Sequence, residues 1–146
     1  MDAGADLVVS MRDEALGAGA DVAIAVEVSY PIAADEITAS VSESGRLIRV
    51  GVAAPALDCI THEGQVAEIA RQFRAALDGT RTLAPGARVH VFCSAPMSVG
   101  FALGRMVSRT LHPPVRVYAY DRNAAKPYPW GLEVNGAPGP GQAVRN

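Results

Sequence analysis

Several signatures that would settle a function at once are missing from this chain. Its only two cysteines, Cys59 and Cys93, have no Cys or His partner at metal-ligand spacing, because no CxxC or HxxxH occurs. No GxxxxGK[ST] loop is present, which removes support for a P-loop ATPase, and no GxGxxG fingerprint, which does the same for NAD binding. No GxSxG elbow frames a nucleophilic serine. No apolar run reaches the roughly 18–20 residues that span a bilayer, and the acidic start MDAGADLVVSMRDEALG has neither a basic region nor a long apolar core of a secretion signal. A cytoplasmic protein with no disulfide and no membrane contact is the expectation. The net charge of −2 excludes the broad basic surface that duplex nucleic acid demands, although a small anionic ligand needs only a few donors.

What is present is a chain of 146 residues, 49% hydrophobic and 19% charged, long enough for one domain with a real core. Residues 1–20 are weakly patterned; Leu7, Val8, Met11, Ala15 and Leu16 fit a short helix in an N-terminal lead-in. Residues 21–29 (DVAIAVEVS) form a near-continuous apolar run, the pattern of a strand covered on both faces, with Glu27 its only charge before the end. Tyr30-Pro31 breaks it, and residues 32–40 fit a short helix with Asp35 and Glu36 in its first turns. A second strand is expected over 45–53. Apolar residues at three- and four-residue spacing predict a helix over 65–77, stopped by Asp78-Gly79. A third strand over 88–93 leads into a helix over 96–111 that Pro113-Pro114 ends. A fourth strand over 115–120, a Pro- and aromatic-containing loop over 126–130 and a short edge strand over 132–134 follow. The main domain thus runs over 21–135, and 136–146 (GAPGPGQAVRN) reads as a flexible tail. Alternating strands and helices imply an α/β, Rossmann-like domain: a mainly parallel sheet with helices on both faces.

The segment VHVFCSAPMSVGFALGR (89–105) places a helix N-terminus at the end of a buried strand, where anionic ligands bind in open α/β sheets. Pro96 fits the first helical turn, Ser94 or Ala95 the N-cap, and Ser98 adds a hydroxyl; Gly100 and Gly104 are expected to let the helix pack closely on the sheet. The Ser29-Tyr30-Pro31 loop follows a strand and falls on the same rim, Tyr30 offering a ring to a base and Ser29 a hydroxyl to phosphate. The third candidate is Tyr118 to Arg122, with Tyr128 and Trp130 nearby: rings and a guanidinium stack on nucleobases, and Asp121 accepts hydrogen bonds from a base edge or ribose. Each loop also has a plain reading as a helix cap, a turn or an amphipathic strand end. For catalysis, Ser94, His90, His112 and Asp121 include the right residue types, but no pattern unites them.

The segments VAIAVEVSYPI (22–32), GQVAEIARQFRAAL (64–77), VHVFCSAPMSVGFALGR (89–105) and VRVYAYDRN with YPWGLEVN (115–135) together resemble the SAVED domain, a sensor of cyclic oligonucleotides in bacterial antiviral defence of the CBASS and type III CRISPR kinds. The chain resembles the C-terminal half of that domain, whose two halves are each related to CARF, a Rossmann-like nucleotide-sensing fold. The resemblance implies a non-catalytic module that binds a cyclic oligonucleotide over the C-terminal strand ends, with no cofactor and no metal. The contacts it implies are Ser29, Tyr30, Ser94, Ala95, Pro96, Met97, Ser98, Tyr120, Asp121 and Arg122. One unit would offer half a ligand site, so homo-oligomerisation or a partner effector subunit is expected to complete it. The alternatives are a ring nuclease-like enzyme, in which Ser94 or His62 assists attack by a ribose hydroxyl, and a scaffold subunit without ligand.

Overall fold

In a computed structural model the described residues are 9–41, 43–108, 110–120, 123–125, 127–135 and 143–145. They form ten elements in chain order: β1 (Val9–Ala15), β2 (Asp21–Glu27), α1 (Ala34–Ser40), β3 (Ser44–Val52), α2 (Glu63–Leu83), β4 (Val89–Ser94), α3 (Met97–Gly104), β5 (Val115–Ala119), β6 (Trp130–Glu133) and β7 (Ala143–Arg145). One sheet takes the order β1-β3-β2-β4-β5-β6-β7. Its four central strands, β3-β2-β4-β5, are parallel, while β1, β6 and β7 pair antiparallel at the two edges. The domain is α/β as expected, but the sheet is mixed, and the Rossmann-like character is confined to its centre.

The alternation of side chains along the central strands makes two cores. On one face Val22, Ile24, Val26, Val89 and Val91 pack against Ile69, Phe73 and Leu77 of α2 and Val99 and Leu103 of α3. On the other, Ala23, Ala25, Leu47, Phe92 and Tyr118 pack against Ile37 of α1 and Tyr128 of the late loop. Helices therefore cover both faces, two on one side and one on the other. This explains why β2 reads as an unbroken apolar run.

Several boundaries depart from the sequence reading, each for a visible reason. The short helix expected near residues 7–16 is instead β1, paired with β3 from Val9↔Val52 to Ala15↔Arg46. The free edge of β3 supplies a backbone ladder that outweighs the weak local pattern, and Arg46–Asp13 and Arg49–Glu14 ion pairs join the two strands. Helix α2 does not stop at Asp78-Gly79. It runs six residues beyond Leu77, where Thr80 is buried with its hydroxyl bonded to the Ala76 carbonyl and Arg81 reaches the Leu111 carbonyl. Helix α3 is half the expected length. Past Gly104 the chain turns, and the Ser108 hydroxyl accepts the Thr110 and Leu111 N–H groups while its own N–H donates to His112 Nδ1. Such side-chain bonds compete with helix. Of the predicted tail, residues 143–145 are strand β7 on β6; 136–142 and 146 lie outside the described residues.

The N-terminal ends of the parallel strands hold a buried polar group. His90 Nε2 lies 2.8 Å from Asp21 Oδ2 and Nδ1 2.6 Å from the Tyr118 hydroxyl. Burial pushes the imidazole pKa down; the Asp21 carboxylate opposes this, and the Arg116 and Arg88 guanidiniums add to it. Because the folded pKa is depressed, the unfolded chain takes up a proton that the folded one resists. The stabilisation is complete above the unfolded imidazole value of about 6.5 and declines as pH falls from there toward the folded value. Urea unfolding between pH 7 and pH 5 is expected to show stability decreasing with acidification, and His90→Gln to flatten that slope; an unchanged slope in the variant would assign the effect elsewhere.

Candidate functional site

Strand β2 is followed by α1 and β3 on one side, and β4 by α3 and β5 on the other, so the chain departs in opposite directions from the C-terminal ends of two neighbouring parallel strands. Such a switch point opens a crevice above the sheet. The two loops leaving it are the two that the sequence analysis placed on this rim.

They are stapled together by Ser94. Its carbonyl accepts the N–H groups of Val28 (2.9 Å) and Ser29 (2.8 Å). Its hydroxyl donates to the Tyr30 carbonyl and accepts the Tyr30 N–H at 3.3 Å. The side chain is 2% exposed. Ser94 therefore fixes the loop and does not cap α3, whose N-cap is Pro96 with no side-chain cap bond. The Ser94 carbonyl and hydroxyl are engaged by the backbone of residues 28–30.

A second brace comes from Glu27, the lone charge in β2. Oε2 accepts the Ile32 N–H at 2.7 Å and Arg49 Nη1 at 2.7 Å, and the same Nη1 donates to the Ile32 carbonyl at 2.7 Å. Both side chains are nearly buried. A buried ion pair offsets its desolvation only where further hydrogen bonds replace lost water, and here Arg49 Nε also donates to Glu14 and Glu27 Oε2 and Arg49 Nη1 each take a second partner on Ile32. The pair pins both backbone groups of Ile32, which is why α1 starts at Ala34 and not at residue 32. Ser29, Tyr30 and Pro31 lie between the Ser94 staple and this clasp.

The rings divide into support and surface. Phe92 stacks on Tyr118 with centroids 4.7 Å apart and meets Tyr128 edge-on at 4.8 Å; Tyr128 meets Tyr120 at 5.6 Å, and Tyr120 meets Tyr30 at 6.5 Å. Tyr118 and Tyr128 are core side chains, so the stacking role considered for them falls away, whereas Tyr30 is 40% and Tyr120 47% exposed. Burial, with the charges of Tyr120, Cys93 and Glu36, raises the Tyr30 pKa, keeping its hydroxyl a donor at neutral pH. The structure thus brings Ser29, Tyr30, Ser94 and Tyr120 together over the switch point. Ala95, Pro96 and Met97 line a shallow recess beside α3, and Ser98 faces a trough between α2 and α3. Asp121 and Arg122 lie outside the described residues. Gly100 and Gly104 do not bring α3 close against the sheet: an added Cβ at either would meet nothing within 4 Å, and both border an apolar recess whose other walls include Val91 of β4 and Val115 and Val117 of β5.

Against known families, the model described as "SMODS-associated and fused to various effectors sensor domain", SAVED, matches residues 2–134. The chain belongs to the SAVED family. No curated protein matches it. Among solved structures, the "Cap4 SAVED/CARF-domain containing receptor" of Acinetobacter baumannii aligns with a TM-score of 0.58 at 16% identity, over 91% of this chain and 27% of that receptor. At that identity the likeness speaks for the fold, and this chain spans about a quarter of the receptor's length.

Within this SAVED chain, sequence reasoning missed Arg49 and gave Glu27 no role. The available signal was the charge itself, since a carboxylate in a strand covered on both faces requires a buried partner. No group of three or more His, Cys, Asp or Glu suited to a metal occurs among the described residues, and no described helix is long and apolar enough to cross a membrane. Cys93, half-buried at the end of β4, has its thiol pushed up to about 11 by burial, which leaves it protonated and inert at neutral pH.

Breaking the clasp should be costly, because it strands a buried charge. Glu27→Leu is expected to lower unfolding stability by about 3–5 kcal/mol, and Glu27→Leu with Arg49→Met by distinctly less. Equal losses in urea titrations of the single and double variants would show that the pair does not act as a unit.

Proposed function

We propose that this SAVED chain is a cytoplasmic, non-catalytic binding module for a cyclic oligonucleotide second messenger in bacterial antiviral defence. Ligand binding would promote its assembly with another copy or with an effector subunit. The observation that carries the reading is the Tyr30–Tyr120 pair, two exposed rings standing over a braced switch point. Paired rings offer bases a stacking surface that is indifferent to the detail of the base edge, and the α3 N-terminus beside them favours phosphate. Family membership supports a sensor role. The Acinetobacter baumannii Cap4 protein that shares the fold is itself a SAVED/CARF-domain receptor, which agrees with it.

The braced backbone explains how a half-site can be selective. The Ser94 staple and the Glu27–Arg49 clasp fix Tyr30 before ligand arrives, so little loop ordering has to be offset on binding. A non-catalytic role fits the candidate nucleophile, since the Ser94 hydroxyl is engaged on both sides by Tyr30 backbone. It also fits the buried His90 at the opposite end of the strands.

Titration calorimetry with cyclic di-, tri- and tetranucleotides tests the proposal. One ring is expected to bind, and Tyr30→Ala or Tyr120→Ala to weaken it by roughly 10–100-fold, the loss of one stacked base at about 1–3 kcal/mol, while the melting temperature of the free protein changes little. Ring binding that survives both substitutions would remove the rim from the account. Cleavage of the ring on long incubation would overturn the non-catalytic assignment.

A further inference from the structure

Between α2 and α3 runs an open trough of about 730 Å³. Its apolar lining is Ile60, Val66, Ala67, Ala70, Ala102 and Met106. The three alanines let a partner's backbone come close to both helices. The apolar surface also continues past the trough: Arg105 is shared with a recess along α3 where Met97 is 83% and Phe101 74% exposed. Apolar surface of this extent, edged by charge, marks an interaction site.

The dimensions select what can lie there. The wall of α2 from Glu63 to Arg74 is about 18 Å long at 1.5 Å per residue. Spread along that length, 730 Å³ is a section of about 40 Å². An α-helix 10–12 Å across with its side chains has a section of about 80–110 Å². A helix sunk to its axis, one apolar face down, therefore fills the trough for about three turns. An extended strand does not suit it, because helical walls bond their own backbone and offer no ladder.

The charges set the direction. Both α2 and α3 leave the C-terminal ends of parallel strands and pack on one face, so they run the same way. Glu63 stands at the α2 N-terminus, and Arg74 and Arg105 stand toward the other end of the trough. Arg71, between them, is held by Glu68 at 2.6 Å. Arg74 reaches Asp78 only at 3.9 Å, and Asp78 also pairs with His112 Nε2 at 2.8 Å. Arg105 has no ion pair among the described residues. The trough is thus negative at one end and positive at the other, where two guanidiniums are loosely held. Helices favour carboxylates in their first turn and cations in their last. Such a helix complements these charges only when it runs antiparallel to α2 and α3.

We propose that the trough is a docking groove for an amphipathic helix of a protein partner, seated antiparallel to α2 and α3. Its carboxylates lie over Arg74 and Arg105, and a cation of its last turn lies over Glu63. The groove shares no residue with the Tyr30–Tyr120 rim and does not depend on the nucleotide reading.

The probe is a synthetic 18-residue peptide with leucines at three- and four-residue spacing, glutamates in its first two turns, lysines in its last and a nitroxide at its N-terminus. Amide NMR of the ligand-free chain titrated with it reads affinity, site and direction together. Dissociation below about 100 μM is expected, with shifts along Val66–Arg74 and Ala102–Met106 and nitroxide broadening strongest at Leu103–Met106. Exchanging the glutamates for lysines should weaken binding about tenfold or more, and Arg74→Glu with Arg105→Glu should reverse that preference. Ala102→Trp, which fills the trough, should abolish binding, the amide spectrum showing that each variant is folded. No binding at about 1 mM overturns the proposal, as does equal binding of the two peptides. Broadening centred on His62–Val66, or shifts confined to residues 28–32, also overturns it. A dimer of the free chain that Ala102→Trp dissolves would give the trough to a second copy and overturn it as well.

Discussion

Glu27 and Arg49 meet where β2 ends, with almost no water to share the charge, and together they hold both backbone groups of Ile32. A chain leaving a buried strand has to find partners for its polar groups at once, and here a carboxylate and a guanidinium supply them. The position of the Ser29–Pro31 loop, the start of α1 and the placement of the Tyr30 ring all follow from that clasp. Ser94 completes it from the neighbouring strand by using its carbonyl and hydroxyl on the same loop. The rim over the switch point is in consequence a rigid feature of the sheet.

Below the rim the aromatic side chains do two jobs. Phe92, Tyr118 and Tyr128 fill the face of the sheet that only the short α1 covers, where Ala23 and Ala25 leave depth for rings. Tyr120 and Tyr30 continue the same series of contacts outward until they reach solvent. The surface rings are therefore oriented by buried ones. Across the sheet, α2 and α3 build the larger core, so one side of the domain carries the exposed Tyr30 and Tyr120 rings and the other the exposed Met97 and Phe101 beside a trough between the two helices.

Much of this was legible in the residues. The apolar run of β2, the stripe of α2 and the strand–SAP–helix order at β4 and α3 all state their structure locally, and they place two loops on one rim without help from tertiary contacts. Other features depend on partners far along the chain. β1 is a strand because β3 has a free edge, and α2 continues through Gly79 because Thr80 is buried and Arg81 bonds the Leu111 carbonyl in the folded domain. Ser94 reads equally well as a cap or a ligand contact, and only the approach of Tyr30, 64 residues away, shows it to be a staple. Gly100 and Gly104 carry no local sign of which way they face.

The most direct test of the account is backbone amide NMR of the chain titrated with the cyclic oligonucleotide it binds best. The account predicts perturbations concentrated at residues 28–32 and 94–98, around the stapled switch point. Perturbations concentrated instead along Val66–Arg74 and Ala102–Met106 would place the ligand in the trough between α2 and α3 and contradict it.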